Sequence, residues 1–316
     1  MRWEDIYPVM SEADVREFHE KATAAEKIEL ASFFEVEQVF NQRDSQEIVS
    51  ISLFFKPYKT DKVQFPQLTE EVLRNARKLG LVERYEPWNH YVQAILDGAE
   101  RLHRKAPEVT LRIYLANDLS FMLPHLLERH CEVFLMAHSS ISMQPGMMWR
   151  FLAFEEEGKE ITITDADRCR FAYEDALRTR QLRGKPQNYW RLAYVWCRDP
   201  VAYNPIVACE FGGRGGLPVR DLAMAYIWHS WQGHFQSIKH PVSGEEATIP
   251  DDRAIWPNYG FDERFIAAAI YPLMAKKGIL TISEKNHFLG HWFAFDLQYC
   301  TRLNESSELI IFDDLT

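Results

Sequence analysis

Cysteine is scarce in this chain: five of its 316 residues (Cys131, Cys169, Cys197, Cys209 and Cys300), far apart, with no C-x-x-C pair among them. An odd, scattered set excludes a disulfide framework and a cysteine-based zinc site, and predicts reduced thiols used as small hydrophobes. Long apolar runs are missing as well. The longest, FIAAAIYPLMA at 265–275, carries a proline and falls short of the roughly 18 residues that a bilayer-spanning helix requires. No membrane partner is expected. The amino terminus, MRWEDIYPVMSEADVREF, places acids where a secretory signal needs an apolar core, so the expected location is cytoplasmic. Positive charge is also in deficit: 36 Lys and Arg against 46 Asp and Glu leave a net charge of -10. That balance excludes a protein that coats nucleic acid or an anionic membrane with its whole surface.

What is present is a hydrophobic fraction of 47%, enough to build a sizeable core. Residues 11–40 read as helical, with Ser11 as a cap and Val15, Phe18, Ile28, Phe33, Val36 and Phe40 as an apolar stripe. This predicts a helical extension over 1–45, followed by one domain over 46–316. Within that domain, apolar segments EIVSISLFF, VTLRIYLA, EVFLMA and EITIT alternate with helical stretches. This alternation predicts an α/β fold with a mostly parallel sheet flanked by helices.

At the end of the last of those strands the chain reads EITITDADRCRF, residues 160–171. In an extended chain, residues two apart share a face, so Asp165 and Asp167 can address one point. Two carboxylates at one point suit a hard cation such as Mg²⁺ or Mn²⁺, which keeps waters and takes further ligands from substrate phosphates. A solvated turn after a strand would use the same letters. Beyond the acids the charge balance inverts locally: residues 168–198 hold eight bases, among them Arg168, Arg170, Arg178, Arg180 and Arg183, against two acids, Glu174 and Asp175. The stretch is net +6 and reads either as a basic solvent face or as a landing strip for an anionic donor or acceptor.

GMMWRFLAF, ITITDADRCRF, WCRDPVAYNPIVACEFGGRGG and YGFDERFIAAAIYP occur in that order. With them the chain resembles, over about residues 47–296, the GT-A glycosyltransferases, and among these a bacterial and viral group of small glycosyltransferase-like proteins. The resemblance implies a Rossmann-like nucleotide-binding sheet whose D-x-D acids hold Mn²⁺ or Mg²⁺ against the diphosphate of a nucleotide sugar, most simply a UDP-sugar. Asp165 would approach the ribose or the metal, and Asp167 would ligate the metal. His287 or His291 would complete the metal shell. Departures from the group's pattern are Val201 and Ala202, where a histidine is frequent, and Phe211 in place of a tryptophan.

Other residues are assigned alternatives. Arg150 and Arg168 are candidates for charge-assisted contacts to phosphate, or else a surface arginine on Trp149 and a strand-end salt bridge. Gly212 and Gly213, followed by Arg214 and by Gly215 and Gly216, permit close approach of backbone to a ligand, or form a plain surface turn. Asp262 opens a helix and is either its N-cap or the base that accepts the acceptor's proton in an inverting reaction, with Asp199 as second candidate. His287 and His291 are otherwise packed or solvent-facing imidazoles. The expected activity is metal-dependent transfer of a sugar to a hydroxyl. The acceptor is a hydroxymethylated base in viral DNA, bound through 168–198, or a saccharide or small molecule. The competing expectation is a non-catalytic nucleotide or carbohydrate binder on the same fold.

Overall fold

The computed structural model describes residues 9–54, 59–60, 63–64, 91–139, 145–181, 190–193, 207–235, 237–239, 246–248, 261–270, 281–284 and 308–311. The chain divides into two compact units, one of residues 31–181 with 215–217, the other of residues 1–30, 182–214 and 218–316. Residues 1–45, expected as a helical extension, are thus shared between the two.

Helix α1 (Glu12–Lys21) starts at a capping box. Asp14 N donates to Ser11 Oγ at 3.3 Å, and Ser11 N donates to Asp14 Oδ2 at 2.6 Å. A second box follows at Thr23, whose Oγ1 accepts from Glu26 N at 3.2 Å while its N–H donates to Glu26 Oε2 at 2.7 Å. It launches α2 (Ala24–Ser32). The continuous helix expected over 11–40 is therefore two helices followed by strand β1 (Val36–Phe40). Val36, Val39 and Phe40 fit a helical stripe and a strand equally well. The backbone pairing available from a neighbouring strand decides between them.

In the 31–181 unit, β1 is followed by β2 (Glu47–Leu53), a small hairpin of β3 (Lys59–Thr60) and β4 (Val63–Gln64), and helix α3 (Gln93–Lys105). Next come β5 (Val109–Leu115), helix α4 (Leu123–Glu128), β6 (Glu132–Met136), a 3-10 helix Gly146–Glu155, β7 (Glu160–Ile163) and helix α5 (Ala172–Gln181). The strands lie in the order β1-β6-β5-β2-β7. β6, β5, β2 and β7 are parallel, and β1 is antiparallel to β6. Every residue of β2 and of β5 is buried, as expected for central strands covered on both faces. Two of these buried residues are charged, Glu47 of β2 and Arg112 of β5. Arg112 is the more deeply buried of them. Its guanidinium pairs with Glu132 of β6 at 2.5 Å and with Glu156, and lies 4.5 Å from the Phe134 ring centre, so the buried charge is compensated.

The other unit contains β8 (Trp190–Ala193), β9 (Val207–Arg214), helix α6 (Val219–Trp231), a hairpin of β10 (Ser237–Lys239) and β11 (Glu246–Thr248), helix α7 (Phe261–Phe265), β12 (Thr281–Glu284) and β13 (Glu308–Ile311). β9 pairs antiparallel with β8, and β12 pairs parallel with both β8 and β13. A π-helical turn, Ile266–Ile270, continues α7. α1 belongs to this unit: Phe18 packs on Trp228 of α6 with ring centres 5.9 Å apart, and Met10 N donates to Ala268 O at 2.8 Å. No described helix is long and apolar enough to cross a membrane.

Candidate functional site

The parallel strands run β6-β5-β2-β7, so the chain moves outward from β2 through β5 to β6 and then returns to place β7 on the other side of β2. The connections leaving β2 and β7 diverge there, and in open α/β sheets ligands bind outside the carboxyl ends of strands at such a switch point. β7 pairs with β2 from Glu47↔Glu160 to Ser50↔Ile163, and the ladder closes with Thr164 N donating to Ser50 O at 3.2 Å. The next residue is Asp165.

The two acids are not carried on one continuous strand, since β7 ends at Ile163. Arg168 N donates to Asp165 O at 3.1 Å, which makes 165–168 a turn, and Cys169–Phe171 continue it as a 3-10 helix into α5. The shared face expected from a period of two is therefore replaced by a turn that carries both carboxylates. Asp165, Asp167 and Arg168 are half-buried. The polar residues of the preceding strand explain why the turn is fixed. Thr162 Oγ1 donates to Thr179 Oγ1 at 2.8 Å, and Thr164 Oγ1 donates to Asp175 Oδ2 at 3.2 Å. Ile161 and Ile163 are fully buried. The alternation of ITIT, residues 161–164, thus ties β7 to α5 through one face of the strand and fills the core with the other.

A second clamp comes from α3. Gly98 lies so close to the Cys169 carbonyl that a Cβ there would overlap it. Arg101 donates to Arg170 O at 3.3 Å and pairs with Glu174, and Arg170 pairs with Asp97 at 3.2 Å. The glycine, which costs helix propensity at this position, is the residue that lets α3 pack on the turn.

Arg150 completes the cluster. Its peptide is gripped by β2: Ser50 Oγ donates to Arg150 O at 2.8 Å, and Arg150 N donates to Ser52 Oγ at 2.9 Å. Its guanidinium, on a residue only 6% exposed, forms an ion pair with Asp165, whose side chain is 38% exposed. Arg150 thereby bridges the ends of β2 and β7. Arg168 stacks near Phe171, with 5.8 Å from guanidinium to ring centre, and Phe171 is half exposed. Arg150, Asp165, Asp167 and Arg168, four residues singled out in the sequence, thus belong to this one end of the sheet. Ser50, Ser52 and Gly98 were not singled out. The trace they leave is two small hydroxyls at alternate positions of an otherwise apolar strand, and a glycine inside a strongly amphipathic helix.

The glycine-rich stretch is divided. Gly212 and Gly213 lie in β9, in register with Arg191 and Trp190 of β8, and Arg214 ends that strand exposed. Gly215 and Gly216 pack against 154–159 instead: Gly215 N donates to Lys159 O at 2.8 Å and Gly216 N to Phe154 O at 2.7 Å. A Cβ on Gly215 would overlap the Glu156 carbonyl, whereas Gly216 has φ +109°, so close packing accounts for the first glycine and backbone conformation for the second. Asp262 is buried in the first turn of α7, in the unit that does not contain the D-x-D turn. Asp199, His287 and His291 lie outside the described residues. Of the basic stretch, Arg180 is paired with Glu47 at 2.5 Å and with Glu108, and Arg170 with Asp97.

Burial pushes the Cys169 thiol well above its ordinary range, aided by Cys131 and Asp175, and pushes the Cys131 thiol up to about 12. Neither is a nucleophile at neutral pH.

One three-residue cluster was not expected from the sequence: Asp14, Glu17 and His229, on α1 and α6, bring potential ligand atoms within 4.8 Å of one another. No protein-family model, no curated protein and no solved structure matches the chain.

Proposed function

We propose that the chain is a nucleotide-sugar glycosyltransferase whose donor diphosphate binds at the carboxyl ends of β2 and β7. The observation that carries this reading is the Arg150–Asp165 ion pair, with Asp167 two residues further along the same turn, at the topological switch point of a parallel sheet. The residues fit a hard divalent cation. Asp167 supplies a half-buried carboxylate, and Asp165 supplies a second that Arg150 already orients. Mn²⁺ or Mg²⁺ held there would stabilise negative charge on the departing diphosphate.

The chain's own residues do the rest. Arg150 is held by β2 through its peptide and by Asp165 through its guanidinium, so the cation is positioned before a ligand arrives and costs little reorganisation when it meets a phosphate oxygen. Arg168 supplies a second cation beside the same turn. Loss of the leaving group from an anomeric carbon gives the sugar oxocarbenium character while charge builds on phosphate oxygens, and preorganised cations act on that charge. The GT-A variant of the α/β fold is part of this proposal.

For the acceptor, a saccharide or small-molecule hydroxyl is favoured over a base in DNA. Arg170 and Arg180, two of the cations that a DNA-binding strip would need, are committed to Asp97, Glu47 and Glu108. The test is release of nucleoside diphosphate from a panel of nucleotide sugars, with and without Mn²⁺, alone and with candidate acceptors. Metal-dependent release that disappears in Asp167→Ala supports the proposal. Absence of release with every donor, while the protein still binds nucleotide, would favour a non-catalytic binder.

A further inference from the structure

We propose that Asp14, Glu17 and His229 form a zinc-type divalent-cation site that ties α1 to α6, separate from the D-x-D turn. Asp14 and Glu17 are three apart on α1 and so share a helical face. His229 reaches them from α6 and is fully buried. Ligand atoms of all three residues lie within 4.8 Å of one another. Around a zinc ion, with ligands about 2.0–2.2 Å from the metal, they would stand about 3.3–3.6 Å apart. Glu17, half-buried and not part of the cap, is the side chain free to turn toward the ion, while Asp14 stays at the Ser11 cap.

Each carboxylate keeps an oxygen for the ion. Both bonds between the Ser11 cap and Asp14 use Oδ2, and the pairing of Glu17 with Lys21 uses Oε1. The cap and the surface pair can therefore persist when Oδ1 and Oε2 take a cation. The donor set selects the class of ion. One imidazole nitrogen with two carboxylates suits zinc and its transition-metal neighbours, whereas calcium and magnesium favour oxygen alone.

The imidazole is arranged to change hands. His229 Nε2 lies 2.9 Å from the Asp14 carbonyl oxygen, which only accepts, so Nε2 carries the hydrogen. The neutral ring then has a bare Nδ1, and His234 Nδ1, 3.0 Å away, must donate to it. A cation at Nε2 needs the opposite tautomer, with a hydrogen on His229 Nδ1 donated to His234 Nδ1 and the His234 hydrogen moved to its Nε2. Each ring still carries one hydrogen, so the exchange needs no net change in protonation. His234 becomes the outer partner that orients a metal-bound histidine.

The test is calorimetric titration of chelator-stripped, full-length Asp167→Asn protein with zinc chloride, a background that removes a ligand from the D-x-D turn. The result expected is one binding event, weakened at least about tenfold by Glu17→Gln, whose melting temperature without zinc should match the parent. In ¹⁵N-histidine spectra, saturating zinc should switch His229 from the Nε2–H to the Nδ1–H tautomer. His229→Gln should abolish binding; if it does not fold, Glu17→Gln and the tautomer readout decide alone. Absence of a zinc event, equal affinity in Glu17→Gln, or an unchanged His229 tautomer at saturation would overturn the proposal.

Discussion

The guanidinium of Arg150, on the 3-10 helix between β6 and β7, is paired with the carboxylate of Asp165 just past the end of β7. One partner is buried and the other is more than a third exposed, so the pair carries charge from the sheet interior to its rim. Replacing Asp165 by Asn leaves the buried cation with a weaker partner. The expected loss is about 1–2 kcal/mol, discounted for the solvent that reaches the carboxylate. Urea unfolding of Asp165→Asn against the parent checks it, and Arg150→Met in the same background should recover part of the loss because no lone buried charge remains.

Gly98 predicts a larger effect from a smaller change. Alanine is the better helix former, yet a methyl group at 98 would overlap the Cys169 carbonyl. Gly98→Ala should destabilise by about 1–3 kcal/mol through overpacking. It should also weaken ligand binding at the D-x-D turn, because the backbone that must yield is the segment leading out of it. A more stable Gly98→Ala protein would show that α3 and the turn are not in contact.

The sequence made the α/β alternation and the D-x-D position legible because both are local: strands of alternating or continuous apolar residues, and two acids after one of them. Contacts made at long range were not legible. Val36–Phe40 fits a helix by pattern and becomes a strand by pairing with β6. Asp165 and Asp167 were expected on extended backbone and instead occupy a turn, because β7 ends at Ile163 and α5 must start close by. The roles of Ser50 and Ser52 depend on a partner about 100 residues away, and nothing in EIVSISL announces it. The same holds for Asp14 and His229, which meet only when α1 lies on α6.

Cys131 and Cys169 are fully buried, and burial holds both thiols in the neutral form. Neither should react with an aromatic disulfide reagent in the native protein at pH 8, and both should react after denaturation. Mass spectrometry of the labelled peptides reads each residue separately. Rapid native labelling of either would place it at the surface.

His103 stacks on His130 with ring centres 4.1 Å apart. Desolvation first, then the neighbouring His130 and Arg43 charges, hold its pKa below the ordinary 6.5. A lowered histidine pKa leaves stability untouched above 6.5 and removes some as the pH falls from there through the folded-state value. In an NMR titration His103 should show a midpoint below 6.5 and move toward it in His130→Ala. An unchanged midpoint in that variant would remove His130 as a cause.

The most direct measurement is calorimetric binding of UDP, in the presence and absence of Mn²⁺, to the parent protein and to Asp167→Asn. The expected result is binding that requires Mn²⁺ in the parent and is lost in the variant, with both proteins melting at similar temperatures. UDP binding that is indifferent to Mn²⁺ and equal in both proteins would contradict a metal-assisted diphosphate site at the ends of β2 and β7.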